Sequence, residues 1–215
     1  MPQIEAPVNV GMEEETLIKA SLDGSVGTIT LDNPSKHNAL GAALIRDLLV
    51  ALSNLTKAGA RAIVLRAYQG ARVWSAGHDV RELPTNGRDP LTYDDPLRRV
   101  VRVIKESPTP IIAMVEGSVW GGACEVVMSC DIVIAAEGTT FAITPAKLGV
   151  PYDIEGTLSF MQSVSSPVIK EMLFRSPFPC SMTGAPGGRH DLIHASFWAG
   201  SPLLRLIFLP PVSAV

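Results

Sequence analysis

Two turns of small residues carry backbone donors suited to an oxygen that becomes negative during a reaction. The first is Glu116-Gly117-Ser118-Val119-Trp120-Gly121-Gly122-Ala123-Cys124-Glu125. It follows the apolar run Ile111 to Val115, which Gly117 breaks before Gly121-Gly122-Ala123 opens a helical pattern. Glycines let N–H groups approach a ligand closely, and a helix start leaves its first N–H groups without intrahelical partners. Fixed donors of this kind stabilise an oxyanion. Glycines at a strand-to-helix junction also serve tight packing alone, so one such turn does not decide the matter. The second turn, Trp74-Ser75-Ala76-Gly77-His78-Asp79, has the same character and supplies a second donor.

Other chemistries find little support. Cys124, Cys130 and Cys180 form no C-x-x-C pair, which argues against a disulfide framework and a zinc site and implies a reducing, cytoplasmic setting. His190 and His194 stand four apart but lack the glutamate and third ligand of a zinc protease, so they read as incidental, and no metal is expected. With 18 basic and 21 acidic residues the net charge is −3, which leaves no basic field for nucleic acid or an anionic membrane. No 18-residue apolar run exists, and Glu13-Glu14-Glu15 is unlike a signal or transit peptide.

The elements that must hold these turns are legible in the periodicities. A length of 215 residues with 47% hydrophobic side chains suits one α/β domain with a substantial core. Residues 1–15 show no period and read as a loose extension. Leu17 to Leu22 and Val26 to Leu31 alternate about Asp23-Gly24, predicting a β-hairpin. Leu44, Leu48, Leu52 and Leu55 predict a helix ending at Gly59, and Ala62 to Leu65 a buried parallel strand. Pro84 to Pro96 is polar and long enough to lie over a site as a lid, or simply to run over the surface. A helix is predicted from Pro96, with Leu97, Val100, Val101 and Ile104 inward and Arg98, Arg99, Arg102 and Lys105 on a solvated face. Asp131 to Ala136 and Thr139 to Ile143 predict further strands. Strand and helix alternate throughout, as in α/β folds.

Four segments together are specific. Lys36-His37-Asn38-Ala39-Leu40, Ser75-Ala76-Gly77-His78-Asp79, the Val115 to Glu125 turn and Ser129-Cys130-Asp131-Ile132 resemble, in order and spacing, the crotonase (enoyl-CoA hydratase/isomerase) superfamily. The resemblance spans about Leu17 to Phe174. The runs Val80 to Pro84, Gly87 to Leu91, Tyr93 to Leu97 and Leu148 to Tyr152 are similar to loops of its branch that decarboxylates methylmalonyl-CoA to propionyl-CoA. It implies a spiral of ββα turns, a coenzyme A thioester as ligand, no separate cofactor, and a homotrimer or hexamer.

The resemblance places the two oxyanion-hole amides on His78 and Gly122, with the His78 imidazole a wall or an orienting group. It implies thioester and coenzyme A contacts at Lys36, Ala39, Ala76, Gly77, Asp79, Val80, Trp120 and Thr144, and a Tyr152 hydroxyl that orients the substrate carboxylate. Glu125 matches the first of two glutamates with which hydratases of this superfamily hold water, but the second position is Pro145, which moves no protons. Decarboxylation needs no base; it needs oxyanion stabilisation, orientation and desolvation. Glu125 therefore either faces the ligand or pairs with the protein.

Three units are expected: the extension 1–15, a crotonase-like core 16–175, and a tail 176–215 that departs from the family and has the character of out-of-frame sequence. In that tail the family's closing helices, which build its trimer, would be missing or replaced. Hydratase or isomerase activity, or an inactive truncated family member, are the alternatives to decarboxylation.

Overall fold

The computed structural model describes residues 8–9, 16–83, 91–143, 152, 154–174, 180–181 and 205–209. Strand β2 (Ile18–Asp23) runs antiparallel to both of its neighbours, β1 (Val8–Asn9) and β3 (Val26–Leu31), and the β2–β3 turn uses Gly24 at φ 55°. From β3 the sheet continues in parallel through β4 (Ala62–Ala67), β6 (Ile111–Val115), β8 (Ile132–Ala136) and β11 (Arg205–Leu209). Their β-branched and aliphatic runs suit strands covered on both faces. Within the expected tail, the backbone of β11 thus extends the large sheet; His190 and His194 lie outside the described residues.

A second, parallel sheet holds the short strands β5 (Val73–Ser75), β7 (Ser118–Trp120) and β9 (Thr140–Ala142), with β10 (Cys180–Ser181) antiparallel at its edge. Two sheets connected this way, with helices packed on them, make an α/β architecture, as the alternation of strand and helix predicts. β5 and β7 went unread because three residues leave no measurable alternation.

Helix α1 (Ala42–Lys57) buries Leu44, Ile45, Leu48, Leu52 and Leu55. It lies so close on β3 that a Cβ at Gly27 would stand 2.9 Å from Leu55 Cδ1. Gly59 at φ 84° follows its end, a left-handed position that glycine fills without strain. Helix α2 (Pro96–Lys105) starts with Pro96 at its first turn and the Asp95 carboxylate accepting from Leu97 N–H at 2.8 Å. Helix α3 (Gly122–Met128) is buried along its whole length. Helices α4 (Ile154–Ser163) and α5 (Ser166–Phe174) follow.

One prediction fails on α2. Arg98 is not on a solvated face but only 4% exposed, while Arg99 is exposed as expected. Positions 97, 98, 101, 104 and 105 share one side of a 3.6-residue period, so the inward stripe is wide enough to include an arginine. Of the predicted lid, 84–90 lie outside the described residues; Leu91 packs on the core and Tyr93 is exposed beneath the Arg102 guanidinium.

Candidate functional site

The second turn is fixed by the segment before α1. Asn38 is fully buried at φ 52°, a left-handed conformation that asparagine tolerates better than most residues. Its Oδ1 accepts from Asn33 N–H at 2.8 Å and its Nδ2 donates to the Trp74 carbonyl at 2.9 Å. Ser75 Oγ donates to the Asn38 carbonyl at 2.7 Å and accepts from Gly77 N–H at 3.2 Å. Ala76 N–H bonds the His37 carbonyl, and Leu40 N–H bonds the Gly77 carbonyl at 2.7 Å. That last bond sets a peptide plane. In a trans peptide the C=O and the next N–H point oppositely, so the His78 N–H faces away from Leu40.

The first turn meets it there. Gly77, at φ 83°, approaches so closely that a Cβ on it would lie 2.4 Å from the Trp120 carbonyl oxygen and 3.2 Å from Gly122 N. Gly121, at φ 52° and ψ −125°, takes a conformation open essentially to glycine alone, anchored by its N–H to the Ala142 carbonyl at 2.7 Å. The Gly121 carbonyl accepts from Cys124 N–H at 3.0 Å, which turns the Gly122 N–H the opposite way. Among the described residues no hydrogen bond occupies the N–H of His78 or of Gly122.

The His78 imidazole is turned aside and nearly buried. Its Nδ1 is 3.1 Å from the Asp79 carbonyl and its Nε2 3.4 Å from Asp95 Oδ2. Both partners are acceptors, and only an imidazolium donates from both nitrogens. Burial is the largest single influence and works against the charge, but the bonds to Asp95 and to the Asp79 carbonyl, with the charges of Asp95 and Glu82, together outweigh it and raise the pKa. Asp79 receives Arg81 Nε at 3.0 Å and a terminal Arg81 nitrogen at 2.8 Å, with Lys36 at 3.9 Å, and the Arg81 bonds above all pull its carboxyl down to about 2.

The other predicted contact residues divide. Ala76 and Val80 are exposed beside His78, and Ala39 and Trp120 are half-buried, the Trp120 indole donating to Ser118 at 2.9 Å. Thr144 and Pro145 lie outside the described residues.

Glu125 stands one turn after Gly122, on the same side of α3. It is 1% exposed; Oε1 receives a terminal Arg98 nitrogen at 2.6 Å and Oε2 receives the Tyr152 hydroxyl at 3.0 Å. The Tyr152 ring packs against Phe160 at 5.5 Å, and burial followed by the Glu125 charge raises its phenol well above the ordinary range. A cavity of about 230 Å³ opens beside the pair, lined by Arg98, Arg102 and Lys105 of α2, Glu125, and Ser159 and Gln162 of α4. Arg98 is the site residue that sequence reasoning missed. Its signal was Glu125 itself, since a carboxylate on a wholly apolar helix requires a buried partner.

The enoyl-CoA hydratase/isomerase family model matches residues 21–177. Methylmalonyl-CoA decarboxylase of Escherichia coli (strain K12) is 50% identical over 149 residues, 69% of this chain and 57% of that protein. The human mitochondrial enoyl-CoA hydratase domain-containing protein 3 is 32% identical over 155 residues, 71% of this chain and 50% of that protein. A crystal structure of methylmalonyl-CoA decarboxylase complexed with 2S-carboxypropyl-CoA superposes with a TM-score of 0.78 at 40% identity, covering 92% of this chain and 70% of that one. The chain thus spans 57% and 50% of the length of these two curated relatives.

Proposed function

Because this chain belongs to the enoyl-CoA hydratase/isomerase family, the crotonase superfamily, we propose that it decarboxylates methylmalonyl-CoA to propionyl-CoA through an enolate held by the N–H groups of His78 and Gly122. The observation that supports this is the close approach of Gly77, whose carbonyl carbon carries the His78 amide, to Gly122 N, with neither amide hydrogen-bonded among the described residues. The bond from C2 to the carboxylate breaks, carbon dioxide leaves, and the electron pair passes into the thioester. The oxygen that gains charge lies between two donors already in place, so no reorganisation accompanies the step. A proton returned to C2 completes propionyl-CoA.

Breaking that bond requires it to stand perpendicular to the thioester plane, where it overlaps the carbonyl π system. Holding the thioester at its oxygen and the acyl group against Tyr152 supplies that orientation. Glu125 is already bonded to Arg98 and Tyr152, an arrangement unlike a carboxylate reserved for a water. Incubation of the folded protein with methylmalonyl-CoA, followed by chromatography and mass spectrometry, should yield propionyl-CoA. Folded protein that forms none would overturn the proposal.

A further inference from the structure

Arg98 presents a puzzle of cost. It is a cation, 4% exposed, on the side of α2 that also buries Leu97 and Val101. A methionine or leucine would fill similar space without the desolvation penalty. What Arg98 supplies and they cannot is a fixed counter-charge 2.6 Å from Glu125 Oε1, while the other Glu125 oxygen holds the Tyr152 hydroxyl at 3.0 Å. The chain of contacts joins α2, α3 and Tyr152, two residues before α4.

Resting on the decarboxylase reading, we infer that Arg98 is a positioning residue that acts through Glu125 to fix which way the Tyr152 hydroxyl faces the acyl group. A phenol has one proton, and a carboxylate held ionised by a guanidinium is an acceptor only. The Tyr152 proton is therefore given to Glu125, and the free side of its oxygen presents lone pairs. A substrate carboxylate placed there meets an acceptor rather than a donor. It is disfavoured as a bound anion and relieved on leaving as neutral carbon dioxide, while the charge moves to the two amides. This differs from the orienting hydrogen bond expected from the family resemblance, in which Tyr152 donates to the substrate.

The test is a cycle of variants read in kcat and KM for propionyl-CoA formation. Arg98→Lys keeps the charge but shifts the fork, and should lower kcat about tenfold without raising KM, as a misplaced group does. Arg98→Met alone strands a buried carboxylate and risks the fold, so the neutral pair Arg98→Met/Glu125→Gln replaces it. Beside Glu125→Gln alone, its folding checked by circular dichroism because the Arg98 cation stays buried there, it should change kcat less than twofold, because Arg98 then no longer acts through a carboxylate at position 125. A further loss of tenfold in the pair, or a KM rise with unchanged kcat in Arg98→Lys, would overturn the inference. A second readout is independent of turnover: ultraviolet titration of the Tyr152 phenol, taken as the difference from Tyr152→Phe. Glu125→Gln and the neutral pair should both bring it down, leaving the part of the rise that burial causes. If it stays where it is, Glu125 does not hold the hydroxyl and the inference falls. If no propionyl-CoA forms at all, the decarboxylase reading fails by itself and the titration still decides the contact.

Discussion

Gly77 and Gly122, distant in sequence, meet where the two small-residue turns cross: a Cβ on Gly77 would stand 3.2 Å from the Gly122 amide nitrogen. The contact is between backbones, so no side-chain rotation can accommodate a larger residue. It places the amide after Gly77 beside the amide of Gly122, and neither is used within the described residues.

Gly77→Ala should therefore damage both fold and function. The residue sits at φ 83°, and its new methyl would lie 2.4 Å from the Trp120 carbonyl oxygen. The left-handed conformation alone costs ~1–2 kcal/mol, and the clash adds to it by separating the turns. Gly24→Ala is the control, with φ 55° and nothing within 4 Å. Denaturant midpoints should rank wild type, then Gly24→Ala, then Gly77→Ala, with propionyl-CoA formation lost only in the last.

Two substitutions at Gly122 separate the amide from the space around it. Gly122→Ala keeps the N–H and brings a methyl within 2.5 Å of Leu97 Cδ2, the movable end of a side chain. Gly122→Pro removes the N–H at the first position of α3, where a proline ring fits a helix. Losing one oxyanion donor typically lowers kcat ~100- to 1,000-fold. Gly122→Pro should show that loss and Gly122→Ala much less; equal rates in the two variants would remove Gly122 from the oxyanion hole.

For His78 the sign of the pH effect follows from its partners. Its pKa is raised in the fold, so its contribution is fully present below the unfolded value of about 6.5 and is lost as pH rises through the higher folded value. Asp95, whose pKa is lowered, contributes above its unfolded value of about 3.9 and loses this on acidification. The stability difference between wild type and His78→Gln should thus be larger at pH 5.5 than at pH 8.5, by about 1 kcal/mol. Turnover should fall less than tenfold, since the proposed donor is the backbone and a general acid or base would contribute ~100-fold or more. A greater loss with intact stability would give the imidazole a chemical role.

Strands β2, β3, β4, β6 and β8 of the large sheet and α1 were legible because their apolar periods extend over several turns or strand residues, whereas β1 and β11 fall in stretches read as an extension and a tail. The α2 stripe was legible only in part: Leu97, Val100 and Ile104 fit a simple amphipathic helix, whereas Arg98 depends on Glu125, a residue on another helix. Asn38 and Ser75 stood in plain view within motifs, yet their work consists of bonds to Trp74, Asn33 and Gly77 that no period encodes. The glycines of the two turns were equally visible. Their meeting depends on β5 pairing with β7, two registered pairs with a register shift between them, too short to read in advance.

Asn38 offers the sharpest probe of how the second turn is held. Asn38→Ala removes the acceptor of Asn33 N–H and the donor to the Trp74 carbonyl, leaving two polar groups without these partners in a buried place. Each such group costs ~1–3 kcal/mol, and alanine at φ 52° adds strain. Asn38→Gly loses the same two bonds without that strain, so the two variants should differ in stability by ~1 kcal/mol. Both should lose kcat together, because the Asn38 side-chain bonds hold the turn in the place where the Leu40 N–H aims the Gly77–His78 peptide. If Asn38→Gly is destabilised while its kcat stays at the wild-type level, the aim of that amide is set elsewhere, and the Leu40 bond to the Gly77 carbonyl becomes the position to test next.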